Sequence, residues 1–198
     1  MSMPATVLNS MTFMRTEVRK AGFTLTELLT VVSIIGIISA IALPAFSSYY
    51  DKCCLMAAIS EITGMIDEAK RNALCNNTDY GVGFNPALGT VTLIAGKGPD
   101  NKWNTDDDLV IRSFSLAAKG GRLRFGYGSY GPRKNCAAAP SGVSFENNNT
   151  LICDPALSGT AGNVYLITRS GYAINISANS TDFGYKLWRW NGKQWQQM

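Results

Sequence analysis

A single carboxylate, Glu27, stands at the mouth of an apolar run, Leu28 to Phe46, that contains no ionisable group of its own. An acid at the centre of a membrane-length helix costs roughly 2.5–3.5 kcal/mol on insertion scales, less near the interface, and such a residue usually marks a partner. The nearest candidate partner is a positive charge on another copy of the chain. Just before Glu27 comes Lys20-Ala21-Gly22-Phe23-Thr24-Leu25-Thr26, a basic flank that passes abruptly through glycine into an aromatic residue.

Three other groups of residues could do chemistry. The segment Gly98-Pro99-Asp100-Asn101-Lys102-Trp103-Asn104-Thr105-Asp106-Asp107-Asp108 gathers four aspartates in one loop. Their mutual repulsion is relieved if a hard cation takes oxygen ligands there, so Asp100, Asp107 and Asp108 are candidate calcium ligands, with a solvated acidic turn as the alternative. Lys119-Gly120-Gly121-Arg122-Leu123-Arg124, followed by Tyr127, Tyr130, Arg133 and Lys134, offers guanidinium groups for phosphates and aromatic faces for bases. Arg122 and Arg124 are therefore candidate DNA contacts, against the commoner meaning of two outward arginines on a strand edge. The five cysteines permit at most two bridges and leave one over. Cys136 and Cys153 flank a loop-rich stretch and form the candidate pair. Cys53 and Cys75 lie on one expected helix, about 33 Å apart at 1.5 Å per residue, and cannot join within the chain.

Composition removes several classes. The chain has 198 residues and no histidine, which excludes imidazole base catalysis and Ser-His-Asp triads. No pairing of nucleophile and base is visible, and an enzyme is not expected. Half of the net charge of +4 comes from Arg15, Arg19 and Lys20 set against Glu17. What remains is too small to argue for nucleic acid by itself.

The elements that position these groups follow from hydrophobic period. A secretory signal has an apolar core of about 7–15 residues and a small-residue cleavage site after it. Here the run is longer and leaves through Pro44 and Phe46 into Ser47-Ser48-Tyr49-Tyr50. It suits a membrane span of about 20 residues whose basic flank stays in the cytoplasm. Beyond it, Ile59, Ile62, Ile66, Ala69 and Ala73 recur at intervals of three and four, with Glu61, Asp67, Glu68, Lys70 and Arg71 elsewhere, the pattern of an amphipathic helix. The spacing predicts one helix from about Phe23 to Cys75, bent or loosened at Pro44 and stopped by Asn76-Asn77.

From Tyr80 the period becomes that of strands. They are expected at 80–84, 90–95, 109–116, 122–127, 143–146, 163–168, 172–177 and 185–190, separated by loops at 97–108 and 128–140. Trp190-Asn191-Gly192-Lys193 predicts a closing hairpin with a type I′ turn. The fold class is α+β: a long N-terminal helix, its first half transmembrane, packed on a β-rich head. The expected organisation is a leader at 1–22, a transmembrane half at 23–50, an amphipathic half at 51–79 and a head at 80–198.

Gly22, Phe23, Thr24, Leu25 and Glu27 resemble the leader junction and N-terminal helix of type IV pilins and type II secretion pseudopilins. The resemblance implies that a prepilin peptidase cuts between Gly22 and Phe23 and methylates the new amine. It also implies that Glu27, fifth in the mature chain, meets the amine of a neighbouring pilin subunit during assembly. Glycine at the junction leaves room for the peptidase to approach the backbone. The strand order 164–167, 172–176 and 186–190 is similar to that of GspH/FimT-type minor pseudopilins. That likeness implies a non-enzymatic structural subunit of the inner membrane, N-terminus cytoplasmic and head periplasmic, which initiates or caps a secretion pseudopilus or a pilus. The alternative is a minor pilin whose head binds DNA or another surface. The acidic loop resembles a G-P-D-G-x-x-G-T-x-D-D loop of pseudopilin heads, with Asn101 and Asn104 in place of glycines. DNA-uptake pilins of the related family carry a G-R-x-R segment nearer their C-terminus than Gly121 to Arg124 lie here.

Overall fold

The computed structural model describes residues 22–136, 139–156, 158–180 and 184–198, divided into two units between Ala42 and Leu43. Arg15, Glu17, Arg19 and Lys20 lie outside the described residues. Helix α1 (Leu25–Asn76) begins where Thr24 and Glu27 form a reciprocal cap. The Thr24 N–H donates to Glu27 Oε2 at 2.9 Å, and Glu27 N–H donates back to Thr24 Oγ1 at 3.3 Å. This is a capping box. Thr30 and Ser33 turn their hydroxyls onto the carbonyls of Thr26 and Leu29, each at 2.8 Å, so these two polar side chains of the apolar run find partners within the helix. Pro44 lies inside α1 and removes one donor from its ladder. The helix stops where Asn77 takes φ +52°, the left-handed cap that asparagine tolerates.

In the second unit, α1 buries one stripe: Asp51, Cys54, Leu55, Ala58, Ile59, Ile62, Met65, Ile66, Ala69 and Ala73. All five positions expected from the three-and-four spacing are among them. Each large apolar member contributes roughly 1.5–3 kcal/mol through burial, and the alanines let the helix approach the sheets closely. The stripe shares one core with Val82, Phe84, Leu93, Leu151, Val164, Leu166, Ile174 and Ile176. Polar residues flanking it are tied to the head: Lys119 to Glu61 at 2.7 Å, Arg112 to Glu68 at 3.1 Å, and the Tyr185 hydroxyl to Asp67 at 3.2 Å.

The head has two antiparallel sheets. One contains β1 (Tyr80–Asn85), β2 (Thr90–Gly96), β3 (Leu109–Ser115) and, after β4 (Leu123–Phe125), strand β5 (Thr150–Cys153), in the order β3-β2-β1-β5. The other holds β4, β6 (Gly162–Thr168), β7 (Ala173–Ala178), β8 (Tyr185–Trp190) and β9 (Trp195–Gln197) in that order. Strand β6 is buried on both faces. Val164 and Leu166 enter the main core, while Tyr165 packs edge-on against Tyr127 and Trp195, 5.3 and 5.4 Å between centroids.

Two local expectations are corrected. Residues 143–146 form no strand: Val143 makes an isolated bridge to Val164. Asn147, Asn148 and Asn149 then take φ of +51°, +58° and +59°, and this left-handed turn delivers the chain into β5, which pairs with β1 from Tyr80↔Cys153 to Gly83↔Thr150. The C-terminal hairpin is present, but Trp190 pairs with Trp195, leaving four residues in the loop rather than a two-residue type I′ turn. Asn191 Oδ1 accepts from the N–H groups of Lys193 and Gln194 at 3.0 and 2.9 Å. That side-chain turn replaces the positive φ at Asn191 that type I′ requires.

Candidate functional site

At the N-terminal segment, Gly22 and Phe23 precede α1 without regular structure, and Phe23 is 83% exposed. A Cβ added at Gly22 would meet nothing among the described residues, so the fold places no demand for glycine there. The apolar side chains from Leu28 to Ile41 are exposed around the helix. That window of α1 is long and apolar enough to cross a membrane and is not buried within the protein. A helix apolar on all sides and uncovered by its own chain is fitted to lipid or to like helices. Glu27 stands at its start, one oxygen already engaged by the backbone and hydroxyl of Thr24. The T-x-x-E spacing of this cap was readable in the sequence, and the expectation of an intermolecular partner overlooked it.

The acidic loop is held to the head by the residues between its aspartates. Trp103 is buried and lies against the face of β1 at Gly81, where a Cβ would come within 2.9 Å of its ring. Asn104 fills the gap over Gly83 and donates to Phe84 O at 3.2 Å. Asn101 and Asn104 take φ of +56° and +60°, the left-handed conformation expected of residues standing in for glycine. Each candidate ligand is engaged within the loop. Asp108 accepts from the N–H groups of Gly98 (3.2 Å) and Thr105 (2.9 Å), Asp107 from the N–H of Asp100 (3.2 Å) and the hydroxyl of Thr105 (2.8 Å), and Asp100 from the N–H of Lys102 (2.8 Å). The Thr105 hydroxyl and the Asp100 N–H hold Asp107 below the usual carboxylate range. Among the described residues no three acidic or thiol side chains converge on a position for a metal ion.

The basic and aromatic residues that the sequence groups together separate into two places. Tyr130, Arg133 and Lys134 join Trp188, Trp190, Lys193 and Trp195 around an open groove of about 420 Å³. There Tyr130 stacks on Trp190 at 4.9 Å, and the Arg133 guanidinium lies 4.2 Å from the centre of the Trp188 ring. The tryptophans of β8 and β9 were not anticipated as partners of these cations, because only the folding of the 126–136 loop over the second sheet joins them.

Arg122 and Arg124 lie elsewhere, with Arg169 and Thr168 beside a cleft of about 330 Å³. Arg122 Nη1 donates to Asp51 Oδ1 at 2.7 Å and to Ser47 Oγ at 2.9 Å, and its guanidinium sits over the Tyr50 ring. Asp51 is 1% exposed and also accepts from the Ser170 N–H at 3.1 Å and from the Ser170 hydroxyl. Burial alone would raise its pKa, but the hydrogen bonds from Ser170 and Arg122 together with the guanidinium charge outweigh burial and hold it below the ordinary value. Arg122 thus joins α1 to the head, leaving Arg124 as the more outward of the candidate pair. This buried carboxylate was not singled out in the sequence, since its partners lie 71 and 119 residues away.

All five cysteines are free thiols. Cys153 sits on β5 opposite Tyr80, where burial pushes its thiol up to about 12. Cys136 lies beside Tyr165 on the other sheet. The structure does not bring the two together.

Residues 18–43 match the family described as "Prokaryotic N-terminal methylation motif". The chain is similar to a fimbrial protein of Pseudomonas aeruginosa, 35% identical over 96 residues that cover 43% of this chain and 60% of that protein. A fimbrial protein of Moraxella nonliquefaciens is 37% identical over 79 residues, 38% of this chain and 49% of its own length. The chain therefore spans between half and three-fifths of these relatives. Among solved structures, the minor pseudopilin EpsH from the type 2 secretion system of Vibrio cholerae aligns with 68% of this chain and 94% of its own, at 14% identity and a TM-score of 0.42. Residues 18–43 thus carry an N-terminal methylation motif at the start of an apolar helix of membrane length, and the chain is similar to fimbrial proteins over part of its length.

Proposed function

We propose that the chain is a minor pilin or pseudopilin: a non-enzymatic structural subunit cleaved between Gly22 and Phe23 by prepilin peptidase. On this reading it is held in the inner membrane by residues 23–50, with the N-terminus cytoplasmic and the head periplasmic. It enters a filament with other pilin subunits and helps to initiate or cap a secretion pseudopilus or a pilus, the role implied by the GspH/FimT-like order of its last strands. The observation that carries the reading is the methylation motif over residues 18–43, in which the Gly22-Phe23 junction stands directly ahead of an exposed apolar helix of membrane length. Mass spectrometry of the N-terminus of membrane-derived protein tests it. The expected result is a mature chain starting at methylated Phe23, with Gly22→Leu retaining the leader. An intact leader in assembled filaments would refute the processing.

A further inference from the structure

We propose that the arginine cleft of Arg122, Arg124 and Arg169 binds the phosphate of anionic lipid headgroups at the membrane surface from which α1 emerges. The proposal rests on the reading that the apolar run of α1 spans a membrane, and it assigns a contact for the head that this reading leaves open. Ser47, the first residue after the run, accepts a hydrogen bond from Arg122 at 2.9 Å, which fixes this corner of the head at the exit of the run. Arg122 and Arg124 alternate with the buried Leu123, so both project from one side of the chain. The Arg169 N–H bonds Arg122 O at 3.1 Å, which adds a third arginine to the group.

No carboxylate lines the cleft. Asp51 is already taken up by Arg122 and Ser170, and Arg124 and Arg169 are exposed and join none of the ion pairs found among the described residues. The uncompensated charge of the cleft is therefore carried by two guanidinium groups, whose planar donors suit phosphate oxygens. On α1, Tyr49 and Tyr50 are 65% and 45% exposed one turn beyond Phe46, where amphipathic rings favour the headgroup layer. Lys52, separated from them by the buried Asp51, is exposed. Aromatic rings at the end of an apolar run suit the headgroup layer on either side of a bilayer, and the guanidinium groups beside them suit its phosphates. A nucleic acid would meet the same phosphate chemistry but would gain nothing from lying at this exit.

The test uses the full chain in lipid nanodiscs, with hydrogen exchange followed in residues 119–126 and 168–171. Protection of the amides from Leu28 to Ala42 in every disc reports insertion separately, and its absence would overturn the spanning reading on which the proposal stands. With insertion in place, discs containing phosphatidylglycerol should slow exchange in the two head segments relative to phosphatidylcholine discs. Arg124→Glu and Arg169→Glu should each reduce the slowing by about fivefold, the equivalent of one basic residue near a charged surface. Equal exchange in the two lipids overturns the proposal. So does equal slowing by inorganic phosphate in phosphatidylcholine discs, which would mean a free anion, or slowing by DNA alone, which would mean a nucleic-acid contact.

Discussion

Asp51, on α1, is the one carboxylate buried among the described residues. A carboxylate this buried is tolerated because Arg122 and Ser170 meet it with charge and hydrogen bonds, and removal of a buried partner leaves a cost rather than a neutral gap. Its pKa is lowered in the folded protein. The unfolded chain therefore binds the proton more readily, and folding stability falls with pH. The contribution is fully present above the ordinary carboxylate range, near pH 4, and is lost as pH drops through the folded value. Asp51→Ala should lower head stability at pH 7 by about 2 kcal/mol. Arg122→Met should also lower the melting temperature at pH 7, with a deficit that shrinks below pH 4 as Asp51 becomes protonated. Thermal melts of the two variants across that range check both statements. A deficit of Arg122→Met that stays constant with pH would show that the ion pair contributes nothing beyond packing.

At the scale of elements, the acidic loop is a structural cover whose aspartates terminate its own backbone. Trp103 and Asn104 anchor it on the glycine face of β1, and Asp108 accepts two of the N–H groups that a reversing loop would otherwise leave exposed. Asp108→Ala should therefore destabilise the head by about 1–2 kcal/mol, the scale of losing a carboxylate cap. Among the described residues no three acidic side chains converge on a position for a metal ion, so millimolar calcium is expected to leave the melting temperature unchanged. A rise abolished by Asp107→Ala would instead show that the loop opens to coordinate the ion.

The same contrast between local and distant causes explains what the sequence disclosed. The α1 stripe was legible because its apolar residues repeat every three or four positions, and most strands because their alternation is local. Strand β5 was not, since Thr150–Cys153 becomes a strand only by pairing with β1, some 70 residues earlier in the chain, after an asparagine turn that reads as a loop. Within the candidate site, the glycine–phenylalanine junction and Glu27 are contiguous and were visible. The Asp51 clamp and the tryptophan groove join residues that only tertiary packing brings together.

At the scale of the whole molecule, Glu27 has two available roles that act at different levels. Within one chain it caps α1 through Thr24. In a filament, the family resemblance has it meeting the amine of a neighbouring subunit, and a charge in an apolar assembly needs such a partner. Two substitutions separate the roles. Glu27→Gln keeps an acceptor for the capping box, in which glutamine serves as glutamate does, but has no charge for an amine. Glu27→Leu removes both the acceptor and the charge. If the charge pair drives assembly, both variants should insert in the membrane and be processed, yet both should co-purify poorly with other filament subunits when membrane levels are matched. If the cap alone matters, Glu27→Gln should assemble normally and Glu27→Leu should fail. Undiminished co-purification of Glu27→Leu would leave the carboxylate with neither role and reduce the N-terminal helix to an anchor.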